Sequence, residues 1–439
     1  MSVAAMAQPA APAILTDSAR VAPIVQRVMH ATHAPGVAVR ITRPGHRPIS
    51  LKFGMADVER RIPVSSETVF EIGSVTKEFT AAALMQLVEQ GRVSLDDEIN
   101  RWLPGLRTAP RRVTLRQLLS HTSGIHASLN PAPDGSLPKL LFDFEPGSDW
   151  SYSNAGYLLL GRVVERVSGA SWDDYVRAHL SGPLHLESIA SCRRVDSTGI
   201  SVLAEGYRVE GDDTLRHLPR ADFDLAFTAG GLCATASDVA AWNAALAAGR
   251  VVTPRSYQMM TAPTTLPDGR SIPYGFGIQV SRLGPYTEHM HEGDIAGFSA
   301  AVSTYPTESL TVAVLANAEG VPALRVARDL ARVLLSTAAE PQRDLPLSAN
   351  QRSQLVGLYV VPPSTACRVA EVEGGIGYGC GGPIRHRMLY QGDGVFEDPG
   401  APEWRLEFVG WTADHSTHVT GWRELYYGLP MMSGRWTGR

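Results

Sequence analysis

Between Gly73 and Gly91 the chain carries a helical pattern that fixes where the rest must gather. Phe79, Ala83, Leu84, Leu87 and Val88 fall on one face at 3.6-residue spacing, and Gly91 supplies the stop. At the start of this helix stand Ser74 and Lys77, three residues apart, so both side chains leave one face about one turn from each other. A serine hydroxyl is a poor nucleophile until something takes its proton. A lysine amine does so when desolvation or nearby positive charge lowers its pKa. The positive end of the helix beside Ser74 favours negative charge developing there. The S-x-x-K spacing also fits a solvated helix start. The chemical reading gains its weight from Tyr152-Ser153-Asn154 and His291-Glu292-Gly293 further along.

Length sets the number of cores. With 439 residues the chain exceeds one ordinary core and predicts two or three structural units. Hydrophobic residues at 44% and charged ones at 19% describe a globular chain, neither disordered nor fibrous. A net charge of −4 without any Lys/Arg-rich tract argues against nucleic acid as a partner. No apolar run approaches the roughly 20 residues that a membrane-spanning helix needs. Ala4-Ala5-Met6-Ala7-Gln8 resembles the small-residue end of a secretory signal, although the basic and apolar regions that should precede it are missing. This points to a periplasmic or secreted protein and leaves a cytoplasmic one open. The four cysteines, Cys192, Cys233, Cys367 and Cys380, are too few for a disulfide framework. Cys367 and Cys380 flank a hairpin-like stretch and are the first pair expected in an oxidising compartment; all four reduced is the alternative.

Residues 1–20 read as a tail. Residues 21–29 suggest a short helix, and 36–41 and 49–54 two strands around a turn at Pro44-Gly45. Short helices are expected at 95–99 and 114–119. They lead into Ser120-His121-Thr122-Ser123-Gly124, where His121 reads as a hydrogen-bonded structural residue rather than a general base. A loop over 129–148 delivers Tyr152 just before a helix at 155–167 that ends at Gly169. A further helix at 237–248 has Ser237-Asp238 as its expected N-cap. Strands follow at 274–280, 286–291, 297–305 and 310–317, and then a helix at 321–335. Residues 338–347 read as a linker. Beyond it, 348–439 form short strands with glycine turns, at 355–361, 367–372, 384–390, 404–408 and 419–427: a small antiparallel β domain.

Ser74-Val75-Thr76-Lys77, Tyr152-Ser153-Asn154 and His291-Glu292-Gly293 together resemble the three signatures of the class C β-lactamase-like serine hydrolases. That family includes penicillin-binding DD-peptidases, D-aminopeptidases and β-lactamase-like esterases. The stretches 118–125, 229–232 and 274–277 share the likeness, which covers residues 21–337; the C-terminal part more loosely resembles the lipocalin-like domain of some members. The resemblance implies an α/β (α+β) fold, with an antiparallel sheet flanked by helices, an all-α subdomain and a C-terminal antiparallel β-barrel-like domain. It also implies roles. Ser74 attacks an acyl carbon, Lys77 with a depressed pKa helps deprotonate it, and Tyr152, kept partly ionised by neighbouring positive charge, acts as base and then as acid. Asn154 orients substrate and lysine, and the N–H groups of Ser74 and Asp294 form the oxyanion hole. His291, Gly293 and Asp294 line the substrate. No cofactor or metal is implied, and the substrate is a small molecule or short peptide.

The third motif departs from the lysine-led β-lactamase version. A half-charged His291 beside Glu292 should hold an anionic substrate group weakly, so neutral esters or substrates with a free amine are expected rather than β-lactams. Glu292 could equally point away, since strand side chains alternate. Rival readings are a non-catalytic penicillin- or peptide-binding protein on the same fold, a true β-lactamase or DD-carboxypeptidase, and a metalloenzyme built on His289-Met290-His291-Glu292-Gly293-Asp294.

Overall fold

The computed structural model describes residues 14–127, 140–198, 202–211, 214–219, 223–339, 341–361, 365–384, 387–411 and 419–438. The Ala4–Gln8 stretch and most of the 129–148 loop therefore lie outside the described residues.

The central sheet is assembled from both ends of its region. Its strands are β1 (Gly36–Thr42), β2 (Ile49–Asp57), β3 (Ile62–Pro63), β4 (Gln279–Leu283), β5 (Tyr286–Ile295), β6 (Phe298–Tyr305) and β7 (Leu310–Ala316). They pair in the order β4-β5-β6-β7-β1-β2-β3, and β1 meets β7 antiparallel with Val37 opposite Ala316. Alternation along the strands sends residues to two different cores. Val37, Val39, Ile41, Val312 and Val314 pack on one face with Val21 and Val25 of helix α1 (Ile14–Thr32). Ala38, Ala300, Val302, Ala313 and Leu315 face the other way, toward helix α2 (Thr76–Glu89) and the helical insert. Both faces are covered, which is why β6 and β7 read as continuous apolar runs rather than alternating ones.

Helix α2 is more enclosed than its one-face pattern predicts: Thr76 to Met85 are all buried. It lies between the sheet and the insert, and the small Ala81-Ala82-Ala83 run leaves room for neighbours on every side. Helix α3 (Asn154–Ser168) starts at the Ser153 cap, whose hydroxyl accepts from Gly156 N at 3.1 Å, and Gly169 ends it at φ 80°. The helix at Ala236–Ala247, here α4, is capped by Thr235 rather than Ser237; the strand Leu232–Ala234 runs straight into it, so Thr235 is the last extended residue. The 95–99 segment is a turn, and its helix, Ile99–Trp102, begins only at Ile99. The strand expected at 274–280 starts at Gln279, because residues 274–278 turn back on themselves with Gly275 N bonded to Ile278 O at 2.9 Å.

A three-stranded sheet of Phe70–Glu71, Leu232–Ala234 and Ala190–Ser191 ties the insert together. A Cys192–Cys233 disulfide crosses it. The second bridge joins Cys367 and Cys380 directly across two paired strands. The pairing of Cys192 was invisible in sequence, since its partner lies 41 residues away in an element defined only by this sheet.

Residues 357–438 form an eight-stranded antiparallel sheet, from Gly357–Val361 to Leu429–Gly438, around Tyr359, Phe396, Leu406, Phe408 and Trp422. Its edge strands approach each other at one bridge, with Met388 N bonded to Ile376 O at 2.8 Å. Leu355, expected in the first strand, instead ends the helix Ala349–Leu355, which a Ser348/Gln351 capping box starts. The strand expected at 384–390 is Leu389–Gly392. This sheet docks on helix α5 (Ala323–Leu335), where Arg325 pairs with Glu403 and the Arg328 guanidinium lies 4.7 Å from the Tyr427 ring centroid. Among the described residues no helix is long and apolar enough to cross a membrane.

Arg328 also pairs with the fully buried Glu288, whose other oxygen accepts from Tyr305 at 2.8 Å. Arg328→Met leaves that carboxylate without its cation and should cost about 3–5 kcal/mol in urea denaturation. The exposed Arg112–Glu98 pair is the control: Arg112→Met should change stability by less than about 1 kcal/mol.

Candidate active site

The Lys77 amine is wholly buried and has three partners. Nζ lies 3.0 Å from Ser74 Oγ, 2.7 Å from Asn154 Oδ1 and 2.8 Å from the Ala229 carbonyl. Each comes from a different piece of chain. Ser74 stands in the single 3₁₀ turn Gly73–Val75 ahead of α2, and Asn154 opens α3. Ala229 belongs to a segment that buried polar groups of α2 hold in place: Thr80 donates to Thr228 O at 2.7 Å, and Leu232 N donates to the Thr76 hydroxyl at 3.1 Å. Burial drives the Lys77 pKa well below its usual value. A neutral amine fits the partner set. Its two N–H bonds go to the Asn154 and Ala229 oxygens, which only accept, and its lone pair is left for the Ser74 hydroxyl proton.

Tyr152 comes from the loop before α3, as expected, with its ring centroid 4.7 Å from Lys77 Nζ. The three motif segments therefore converge. The electrostatics differ from the sequence expectation. Burial raises the Tyr152 pKa, Asp294 and Glu292 push the same way, and the hydrogen bond it shares with Ser74 opposes them without winning. Tyr152 is a neutral phenol here, not a partly ionised one, because its neighbour Lys77 is itself discharged by burial.

The strand β5 supplies the third motif. Gly73 and Gly293 pack backbone to backbone: a Cβ on Gly293 would lie 1.9 Å from Ile72 O and 3.0 Å from Ser74 N. A Cβ on Gly73, at φ +48°, would lie 3.1 Å from Asp294 N. Only glycines at both positions let the backbone at Ser74 and the backbone at Asp294 approach this closely.

His291 is buried with both ring nitrogens engaged. Nδ1 lies 2.6 Å from the Glu292 carbonyl and Nε2 2.9 Å from the Tyr274 hydroxyl. A carbonyl only accepts, so Nδ1 carries the proton and Nε2 receives the Tyr274 hydroxyl. Burial brings its pKa down to about 3, so it is neutral rather than half-charged. Glu292 points the other way and accepts from Tyr426 of the C-terminal sheet at 2.9 Å. Burial, with Asp294 adding to it, raises this carboxyl to about 8. His289, the other imidazole of the H-x-H pair, bonds the Tyr257 hydroxyl at 2.7 Å. Among the described residues no three His, Cys, Asp or Glu side chains gather as a metal site.

Several participants were missed in sequence. Trp150, Leu266, Ile272 and Tyr274 form the cluster on which Tyr152 rests, and Leu429 of the C-terminal sheet completes it. The signal for Ala229 was present: Thr76, Lys77, Glu78 and Thr80 are polar residues in the first turns of a helix that is mostly apolar, and such groups need partners.

Comparison with known proteins agrees with this geometry. The chain is 28% identical over 294 residues to penicillin-binding protein 4* of Bacillus subtilis, spanning 61% of this chain and 64% of that protein. It is 27% identical over 362 residues to a D-aminopeptidase of Gluconobacter oxydans, spanning 78% of this chain and 66% of that protein. The chain thus spans about two thirds of the length of the curated relatives it matches. The octameric penicillin-binding protein homologue from Pyrococcus abyssi superposes with a TM-score of 0.65 over 95% of this chain and 99% of that one, at 23% identity, which attests the shared fold. The family described as beta-lactamase matches residues 21–337, most of the chain. The protein belongs to the beta-lactamase family, a family of serine hydrolases.

Proposed function

We propose that this chain is an acyl-enzyme serine hydrolase, with Ser74, Lys77 and Tyr152 catalytic, acting on esters or on amides of D-amino acids. The observation that carries this reading is the wholly buried Lys77 amine 3.0 Å from Ser74 Oγ. Lys77 takes the hydroxyl proton as Oγ attacks the acyl carbon, and the tetrahedral oxyanion accepts from the N–H groups of Ser74 and Asp294. The new ammonium is costly in that buried position, so its proton passes on through the Tyr152 phenol to the departing amine or alkoxide. Water then enters, loses a proton along the same route and releases the acid and Ser74. Asn154 holds the amine in line, and Gly293 lets the two halves of the oxyanion site meet.

The neutral His291 argues against a site for carboxylate-bearing drugs, since it offers no cation there. Beside Asp294, a cavity of about 520 Å³ is lined by Glu292, Glu319 and Glu403 together with Trp404 and Tyr426, and no basic side chain is in its lining. We read the lack of a cation at His291 as favouring a neutral or amine-bearing substrate, in keeping with the similarity to a D-aminopeptidase. We read 21–337 as the hydrolase unit and 348–439 as a β domain that contributes to the pocket wall. Pairing of all four cysteines supports a periplasmic or secreted location.

Stoichiometric labelling by a fluorophosphonate tests the mechanism. The adduct should sit on Ser74 and be absent in Ser74→Ala, whereas an unlabelled active protein would overturn the reading. Lys77→Arg, which cannot discharge, should lower kcat by about 10³-fold or more while the chain stays folded by circular dichroism.

Across a panel of p-nitrophenyl esters, D-amino-acid amides, D-Ala-D-Ala peptides and nitrocefin, kcat/KM should be highest for the esters or D-amino-acid amides. Nitrocefin turnover is expected to fall at least about 10²-fold lower; efficient cephalosporin hydrolysis would contradict the charge argument.

Glu292 makes stability depend on pH. Its folded pKa of about 8 lies above the ordinary 4.5, so the folded state holds this proton more tightly than the unfolded one. Its contribution is present in full below 4.5 and is lost as pH rises toward about 8. Thermal midpoints scanned across this window should decline less steeply for Glu292→Gln than for the wild type.

A further inference from the structure

His121 lies directly beneath Tyr152 and is 1% exposed. The residues on either side of the tyrosine both donate to it: Ser151 N to the His121 carbonyl at 3.1 Å, and Ser153 N to His121 Nδ1 at 3.1 Å. Its ring centroid is 4.5 Å from that of Tyr152 and 4.9 Å from that of Tyr274. The backbone at His121 is left-handed, φ 59°, an uncommon setting for a non-glycine residue that persists only where surrounding structure enforces it.

The hydrogen bonds define the ring's state. An amide N–H can only donate, so Nδ1 must keep its lone pair and the ring proton sits on Nε2. Protonating Nδ1 would break the bond to Ser153. Burial works against that proton as well and holds the pKa of the imidazole well below its usual value. Nε2 is buried with no hydrogen-bond partner among the described residues. Tyr152, Tyr157 and Tyr274 surround the ring, and none of the His121 contacts reaches Ser74. The ring therefore has no route for a proton to the reacting atoms.

We propose that His121 is a positioning residue for acyl transfer, whose carbonyl and Nδ1 clamp the chain on both sides of Tyr152 and fix the phenol against Ser74. The proposal rests on the hydrolase reading above. A phenol displaced by even about 1 Å loses the in-line proton path and with it on the order of 10²-fold in rate. Substrate binding, which the clamp does not touch, stays.

The test is a set of variants assayed with a p-nitrophenyl ester, with thermal midpoints measured for each. His121→Gly tolerates the left-handed backbone but has no acceptor. His121→Asn tolerates it equally and hangs an amide oxygen from the same Cγ that carries Nδ1. Expected results are a loss of about 10²-fold in kcat for His121→Gly with KM within about threefold, and recovery of at least about tenfold of that loss in His121→Asn. In a Tyr152→Phe background, His121→Gly should cost less than about threefold more, because the group it positions is already gone. Wild-type kcat in His121→Gly, equal losses in the Gly and Asn variants, or additive losses with Tyr152→Phe would each overturn the proposal. If His121→Gly melts below the assay temperature, His121→Gln, which carries its amide one methylene too far, takes its place in the cycle. Wild-type protein that neither labels with fluorophosphonate nor turns over ester removes the hydrolase reading and this proposal together. Labelling with normal turnover in the clamp variants removes this proposal alone.

Discussion

A buried amine with no carboxylate among its partners is the constraint on which the structure turns. Were Lys77 charged, its desolvation would weigh against folding by several kcal/mol, and none of Ser74, Asn154 or Ala229 carries the opposite charge that could offset it. Discharged, the amine is an ordinary polar group that needs two acceptors and one donor, and those are what three remote segments bring. The sheet, the α3 cap and the kinked 227–232 segment can all be understood as ways of delivering them. Phe227, at φ 25°, turns the chain so that the Thr228 and Ala229 carbonyls both face α2. The Cys192–Cys233 bridge and the small sheet beside it then fasten that segment from behind.

How much of this was legible in the sequence depended on whether the determinant was local. Periodicity and punctuation located β1, β2, α3 and the β5–β7 meander to within a few residues, since alternation, Gly169 and the Ser153 cap act on their immediate neighbours. Errors arose where a distant partner decided the outcome. Residues 274–278 have strand composition, yet Gly277 sits at φ +70° and so close to α2 that a Cβ there would lie 2.7 Å from Lys77 O. Thr235 displaced Ser237 as cap because a preceding strand fixed its backbone as extended. The motif residues themselves were readable by type and spacing. Their protonation states were not, because burial is a property of the whole assembly.

The C-terminal sheet shows the same limit from another direction. Its turn residues Tyr426, Tyr427 and Leu429 carry no motif and look like any hairpin connection, but they touch the most sensitive part of the molecule. Tyr426 fixes Glu292, the Tyr427 carbonyl takes Gln279 Nε2 at 3.1 Å, and Leu429 packs into the cluster under Tyr152. A sheet with its own core thus packs into the cluster that supports Tyr152. Its seat on residues 279 and 292 is therefore coupled to the geometry of the candidate site.

The charge at the third motif illustrates why residue type alone misleads. Written out, His291-Glu292-Gly293-Asp294 offers one half-charged base and two acids. Folded, His291 is neutral, its proton committed to a carbonyl and its lone pair to Tyr274. Glu292, raised to about 8 by burial, holds its proton at neutral pH, and burial raises the Asp294 carboxyl as well. The motif thus presents no cation: a neutral imidazole and two carboxyls whose protons burial holds more tightly than water would. In the mechanism proposed above, the oxyanion would be met instead by the backbone N–H groups of Ser74 and Asp294, whose dipoles are indifferent to those side-chain protons. On that reading, charge at the third motif and stabilisation of the transition state are carried by different atoms of one residue: the side chain of Asp294 and its backbone amide.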